Sequence, residues 1–215
     1  MDSPGALQDA IDAWRQADLI GIDCESNSFF AYRERLCLLQ VTVGETDWVV
    51  DPIALGDELK AINPLLEDPE LITVLHSAEY DLMLLKQDLG AELRGLFDTQ
   101  VAMTLLQYER TGLAHLLSES YGLEVSKKEQ RSDWGKRPLT ESQIAYARTD
   151  THYLPDLYRR LHARAGAAHR PTDHRLGLWH VALRLQHGAA AGRECAARER
   201  RARPRRRAAR LIHSS

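Results

Sequence analysis

Three apolar runs, joined by short connections, most constrain what this chain can fold into. Residues 19–25 run Leu-Ile-Gly-Ile-Asp-Cys-Glu, residues 35–43 run RLCLLQVTV, and Trp48-Val49-Val50 is stopped by Asp51-Pro52. Gly44-Glu45-Thr46-Asp47 between the last two is a hairpin-type turn. Parallel neighbours need a crossover of a dozen or more residues, so these runs predict an antiparallel meander. The pattern then changes. Residues 57–66 read as a helix, 71–75 as a strand, 78–89 as a helix ending before Gly90, 95–98 as a strand and 99–108 as a helix. Strands alternating with helices imply parallel pairing. A meander followed by such units makes an α/β mixed sheet with helices on both faces. Residues 9–17 and 112–121 read as further helices, 125–138 as a polar loop, and 140–165 as a long helix capped by Thr140 and kinked or divided by Pro155.

Charge separates the chain into two parts. Residues 165–215 hold 12 Arg, no Lys and three acids, whereas residues 1–164 hold 28 acids against 16 basic residues. We therefore divide the sequence into a domain over 1–165 and a basic Ala/Arg-rich tail over 166–215. A basic segment ordinarily signals contact with nucleic acid. An acidic body that met the same polyanion would need help, such as metal ions. The three cysteines, Cys24, Cys37 and Cys195, form no CxxC pair, which argues against a disulfide scaffold or a cysteine zinc site. No apolar run approaches the roughly 18–20 residues that span a bilayer, and the N-terminus lacks a secretory layout. The expectation is a cytoplasmic protein without membrane contact.

Several acids fall where chemistry is usually placed. Asp23 and Glu25 are two apart on a strand, so both carboxylates point the same way and repel. Asp-x-Glu alone is more often a solvated strand end. Asp81 follows the fourth strand, in the first turns of a helix, where α/β sheets place their sites; taken alone it simply complements the helix dipole. Tyr146 and Asp150 lie one turn apart on the last long helix, on a face otherwise small or apolar, so the carboxylate needs a partner.

Together these residues, in this order, resemble the DEDD superfamily of 3′–5′ exonucleases in its tyrosine-bearing branch. The match extends through His76-Ser77-Ala78-x-x-Asp81-Leu82, Phe97-Asp98-Thr99-Gln100, Lys127-x-x-x-Arg131-Ser132-Asp133-Trp134-x-x-Arg137-Pro138, and Gln143-x-x-Tyr146-Ala147-x-x-Asp150-x-x-Tyr153-Leu154. These segments resemble the ribonuclease D family over most of the acidic body. The resemblance implies an RNase H-like fold, a five-stranded mixed sheet with three antiparallel strands leading. It implies hydrolysis at nucleic-acid 3′ ends with release of mononucleotides, using two divalent cations, Mg²⁺ or Mn²⁺. It further implies that Asp23 bridges both cations, that Glu25 and Asp150 hold the one that activates water, and that Asp81 helps hold the second. Tyr146 would orient the attacking water, since an unperturbed phenol, with a pKa of about 10, is a poor base at neutral pH.

Beside the five catalytic residues, seven others are candidates for nucleic-acid contact. Lys127, Arg131 and Arg137 could meet phosphates, or anchor their loop. Trp134 could stack on a base or pack beneath that loop. Phe29 and Tyr32 could wedge or stack terminal bases. His76 reads as a hydrogen-bonded strand-end residue beside the substrate path, and Asp98 as a helix cap. Ribonuclease D chains commonly continue into helical HRDC domains, and none is recognisable here. The tail is a genuine basic extension that adds salt-sensitive affinity for RNA, or the product of translation past a frameshift in a GC-rich gene; its lack of pattern favours the second. The functional expectation is a metal-dependent 3′–5′ exoribonuclease acting on RNA with a free 3′ end, including tRNA precursors, without an obligatory protein partner. The alternatives are a DNA-preferring exonuclease of the same chemistry and a catalytically impaired nucleic-acid-binding protein.

Overall fold

The structure is a computed structural model that describes residues 1–168. The expectations for the tail from residue 169 onward, whether RNA-binding extension or out-of-frame product, lie outside the described residues. Strands β1 (Leu19–Ser26), β2 (Leu36–Val43), β3 (Thr46–Val50), β4 (Ile72–Leu75) and β5 (Leu96–Asp98) form one sheet in the order β3-β2-β1-β4-β5. β2 pairs antiparallel with β1 and β3, while β4 pairs parallel with β1 and β5. The meander and the parallel pair thus share β1 as their common strand. β1 is where a functional strand gains most, because its C-terminal end lies between the two halves of the sheet.

The two sheet faces are covered by different helices. Helix α1 (Pro4–Trp14) buries Leu7, Ile11 and Trp14 against Ile20, Ile22, Leu39 and Val41. Period-two alternation sends Gly21, Asp23 and Glu25 to the other face. That face is covered by α7 (Glu141–His152) and α8 (Leu154–Ala168). A Cβ on Gly21 would lie 3.0 Å from Cβ of Leu154 and 3.1 Å from the Thr151 carbonyl oxygen. Glycine is therefore what lets the α7–α8 junction rest on β1. The junction itself follows from Pro155, which has no N–H to give the Thr151 carbonyl. The predicted long helix accordingly divides, ending α7 at His152 and starting α8 at Leu154.

Several predicted boundaries move. The first helix begins earlier, at Pro4, whose fixed φ suits a first helical turn. The helix predicted over 57–66 is instead a 3₁₀ segment, Gly56–Ile62, followed by the short α3 (Asn63–Leu66). Pro64 cannot donate to the Lys60 carbonyl, and Asn63 N–H meets it in the tighter i→i+3 manner. Asp51-Pro52 does more than stop β3. The Asp51 carboxylate accepts the N–H groups of Ile53 (3.0 Å) and Ala54 (3.2 Å) and so starts α2 (Pro52–Leu55). The segment predicted over 78–89 is α4 (Glu79–Leu84) running into one π turn, Leu85–Leu89, which ends at Gly90 with φ +73°. Helix α5 (Thr99–Leu105) stops short of Tyr108, where Gln107 takes φ +61°. Helix α6 spans Leu113–Tyr121, and a 3₁₀ turn, Lys128–Arg131, lies inside the polar loop. No helix among the described residues is long and apolar enough to cross a membrane.

Candidate active site

Three elements carry the five residues singled out in the sequence. β1 supplies Asp23 and Glu25, α4 supplies Asp81 in its first turn, and α7 supplies Tyr146 and Asp150. Helix α7 is set at its start by a reciprocal cap. Thr140 Oγ1 accepts Gln143 N–H at 3.2 Å, and Gln143 Oε1 accepts Thr140 N–H at 3.0 Å. Near its end, the Thr42 hydroxyl of β2 donates to Thr151 Oγ1 at 2.8 Å, and His152 Nδ1 lies 3.0 Å from Asp47 Oδ1. With its start capped and its end tied to the sheet, α7 brings the Asp150 carboxylate to β1, and the carboxylate oxygens of Asp23, Glu25 and Asp150 come within 4.8 Å of one another. Asp81 reaches the same place from the other side, its Oδ1 accepting Cys24 N–H at 3.0 Å.

The placement of Asp81 depends on Asp98, which does more than cap its own helix. Its carboxylate accepts N–H groups from Gln100 (2.8 Å) and Val101 (3.3 Å) of α5, and also from Ser77 (3.1 Å) and Ala78 (2.9 Å) at the threshold of α4. Ser77 sits at φ +60°, a left-handed conformation uncommon for a residue with a side chain. Asp98 holds that turn. His76, beside it, lies 2.8 Å through Nδ1 from Thr99 Oγ1, whose proton goes to the Leu75 carbonyl. His76 Nδ1 therefore carries the hydrogen and Nε2 is left as an acceptor. Burial lowers the His76 pKa, which keeps the ring neutral.

The electrostatics are those of charges forced together. Burial, then Asp81, Asp150 and Glu25, push the Asp23 carboxyl well above the usual carboxylate range. Burial with the charges of Asp150 and Asp81 raises Glu25 to about 9. Burial raises Asp81 to about 7 against the opposing Cys24 amide bond, and raises Asp150 to about 7 against a hydrogen bond from the Tyr146 phenol. The phenol is itself raised by burial and by the neighbouring carboxylates of Asp150, Glu25 and Asp23, and it keeps its proton. Four acids without a cationic side chain among them are an oxygen-only donor set carrying an uncompensated negative potential. Hard divalent cations satisfy both conditions, and the residues present fit such ions.

The acids open on a cleft of about 720 Å³ whose rim also includes Phe29, His76, Tyr80, Arg110, Lys127 and Arg131. Of the seven expected nucleic-acid contacts, Phe29, His76, Lys127 and Arg131 thus border the cleft. Phe29 is 64 % exposed, and the Arg131 guanidinium lies over its ring at 5.9 Å. Tyr32 is fully exposed on the same loop but stands away from the cleft lining. Two expectations are corrected. Trp134 is 1 % exposed and packs on Tyr146 with ring centroids 6.1 Å apart, so its face is taken by the protein and not offered to a base. Arg137 is fully engaged inside the loop. It binds both carboxylate oxygens of Asp51 (2.6 and 2.7 Å) and the carbonyls of Cys37 (2.7 Å) and Trp134 (2.8 Å), which leaves nothing for a phosphate. The sequence reading missed Arg110, which lies in a stretch without motif, and Tyr80, which hydrogen-bonds Ser26 Oγ (2.8 Å) and Glu34 at the cleft edge.

A mixed sheet gathers four carboxylates at the end of its middle strand, below a rim of cationic and aromatic groups, which is an oxygen-only site suited to hard cations and open to a polyanion. The chain belongs to the 3′–5′ exonuclease family, whose family model matches residues 1–165. Over 161 residues it is 34 % identical to the exosome complex exonuclease RRP6 of Saccharomyces cerevisiae, covering 75 % of this chain and 22 % of that protein. The crystal structure of Escherichia coli RNase D, an exoribonuclease of structured RNA processing, superposes with a TM-score of 0.71 at 27 % identity, covering 87 % of this chain and 50 % of that one. A Brucella melitensis NrnC structure with bound Mg²⁺ gives a TM-score of 0.63 at 27 % identity, covering 80 % and 84 %. The ribonuclease D resemblance and the mixed five-stranded fold therefore stand. The chain spans about a fifth of the length of the curated relatives it matches first, 18 % and 22 %.

Proposed function

We propose that this domain is a divalent-cation-dependent 3′–5′ exoribonuclease that releases nucleoside 5′-monophosphates from RNA with a free 3′ end. The observation that carries the reading is the meeting of the Asp23, Glu25 and Asp150 carboxylates within 4.8 Å, with Asp81 beside them, at the floor of an open cleft. Asp23, Glu25 and Asp150 would hold one cation, and Asp23 with Asp81 a second, either Mg²⁺ or Mn²⁺. When bound, such ions lower the pKa of water and stabilise charge on the phosphate and the leaving oxygen. The chain's own groups do the rest. Lys127, Arg131 and Arg110 draw the phosphate backbone into the cleft. Phe29 offers an exposed face to a terminal base, with Arg131 stacked behind it. The Tyr146 phenol, proton retained, orients the attacking water while its own hydrogen bond goes to Asp150. Water attacks the terminal phosphorus, the bond to the preceding 3′-oxygen breaks, and that oxygen leaves protonated.

We place tRNA 3′ ends among the substrates and the activity in the cytoplasm, in keeping with the ribonuclease D resemblance. The test uses 5′-labelled single-stranded RNA and DNA of one sequence with Mg²⁺ or Mn²⁺. The expected result is a ladder shortening from the RNA 3′ end that EDTA abolishes and that Asp23→Ala reduces by more than about 10³-fold, as loss of transition-state charge stabilisation predicts. Faster digestion of the DNA strand would transfer the reading to a deoxyribonuclease. Cleavage that persists in EDTA would reject the cation-dependent reading.

A further inference from the structure

Directly opposite Asp23 on the neighbouring strand stands Gln40. Residues facing each other across an antiparallel pair project to the same side, with Cβ atoms about 4.5–5.5 Å apart. That side is the α7 face. Leu38, two residues before Gln40, packs with Ala147 of α7, and Thr42, two residues after it, hydrogen-bonds Thr151 of α7. Gln40 is thus sealed beneath the helix, at 0 % exposure, beside the carboxylate at the centre of the acidic site. Its Nε2 and Oε1 are both buried without a hydrogen-bond partner among the described residues. A fully buried amide with neither end satisfied is costly to keep, and it calls for a partner in the working state. The Thr42 and Thr151 hydroxyls already bond each other, and Thr42 also meets Asp47. Asp23, directly across the strand pair and on the same face, is a charged acceptor with the strongest pull on such a donor.

The geometry points to Gln40 as a positioning residue for Asp23, its amide donating to the Asp23 carboxylate and fixing the orientation in which that carboxylate receives a cation. This rests on the cation-dependent reading above and adds to it a group that would never touch substrate or ion. A hydrogen bond from the amide would leave Asp23 one preferred rotamer and aim its remaining lone pairs at the cleft. Outer partners of this kind commonly tune metal affinity by about 10–100-fold.

The experiment compares wild type with Gln40→Met, which keeps the length and volume and removes the amide. Mn²⁺ affinity is read by electron paramagnetic resonance titration, together with kcat, KM for an RNA oligonucleotide, and Tm in EDTA. We expect Mn²⁺ affinity and kcat each to fall at least about tenfold, with KM within twofold and Tm unchanged or higher, because an unpaired polar group has left the core. A purely structural Gln40 would show the opposite pattern: Mn²⁺ affinity and kcat within twofold of wild type, which overturns the inference. Should Gln40→Met fold poorly, Gln40→Asn retains the amide but withdraws it by one methylene. Weakened Mn²⁺ binding in that variant supports the assignment, and wild-type binding overturns it. If wild type itself neither binds Mn²⁺ nor hydrolyses RNA, the exonuclease reading falls first; if it does both and the variants match it, only the role of Gln40 falls.

Discussion

Tyr146 stands one helical turn from Asp150, with its ring against Trp134 and its hydroxyl beside the Asp150 carboxylate. Burial and three nearby carboxylates raise its pKa further above an already high starting value, so it cannot serve as a base at neutral pH. Its contribution is placement. Tyr146→Phe keeps the ring packing and removes only the hydroxyl, so kcat for RNA should fall by about 10²-fold, the usual cost of misplacing a reacting group by an ångström. KM should stay within twofold, and the pH–rate profile should keep its shape. A shifted profile would mean that the phenol titrates during turnover. At this scale the sequence was informative wherever a residue's spacing carried the meaning. Strand and helix periods put Asp23 with Glu25, and Tyr146 with Asp150, on common faces, and the resemblance to the ribonuclease D family singled them out as a site. Trp134 and Arg137 could not be assigned, because one motif position serves packing as readily as contact, and only burial separates the two. Gln40 was invisible in RLCLLQVTV for another reason. Its neighbourhood with Asp23 is a matter of strand register, and register is not written in either strand alone.

Elements show where local pattern and tertiary context diverge. Strands and parallel pairing followed from apolar runs and connection length, since these report burial directly. Helix limits moved wherever proline or a left-handed residue intervened, as at Pro64 and Gln107. The least legible device is the joint between β4–α4 and β5–α5. Asp98 reads locally as the cap of α5, yet half of its hydrogen bonds go to Ser77 and Ala78, in a turn some twenty residues earlier. This couples the two parallel units and sets the start of the helix that carries Asp81. Asp98→Ala should leave four N–H groups without their acceptor, two of them in a turn already held at positive φ. With about 1–3 kcal/mol for a buried donor left unsatisfied, and solvent rescuing the more open ones, we expect a loss of about 2–4 kcal/mol in urea unfolding. Residual activity should need more Mn²⁺ than wild type, because Asp81 loses its support. An unchanged urea midpoint would show that the turn is held by other means.

For the molecule as a whole, folding draws four carboxylates from β1, α4 and α7 into one place, and that has a consequence for stability. In the unfolded chain these acids titrate near 4. In the folded chain Asp81 and Asp150 are raised to about 7, Glu25 to about 9, and Asp23 well above its usual range. The folded state therefore binds these protons more tightly than the unfolded state. Their contribution to stability is complete below about pH 4 and is lost progressively as pH rises through the folded values. In EDTA, Tm should fall steadily between pH 5 and pH 9, at roughly 2–4 °C for each kcal/mol lost in a domain of this size. On the proposed reading Mg²⁺ or Mn²⁺ would bind the ionised acids of the folded state, so it should raise Tm most at the alkaline end and flatten the slope. Asp150→Asn removes one charge from the cluster. In EDTA at pH 8 it should raise Tm above wild type, while abolishing the stabilisation by Mn²⁺ and the hydrolysis of RNA. A wild-type Tm that is flat or rising with pH in EDTA would contradict the crowding of these acids. The acidity of the body is thus concentrated into a local instability that the proposed cations would relieve, and the same four groups that weaken the empty fold are those proposed to let an acidic domain hold a phosphate backbone.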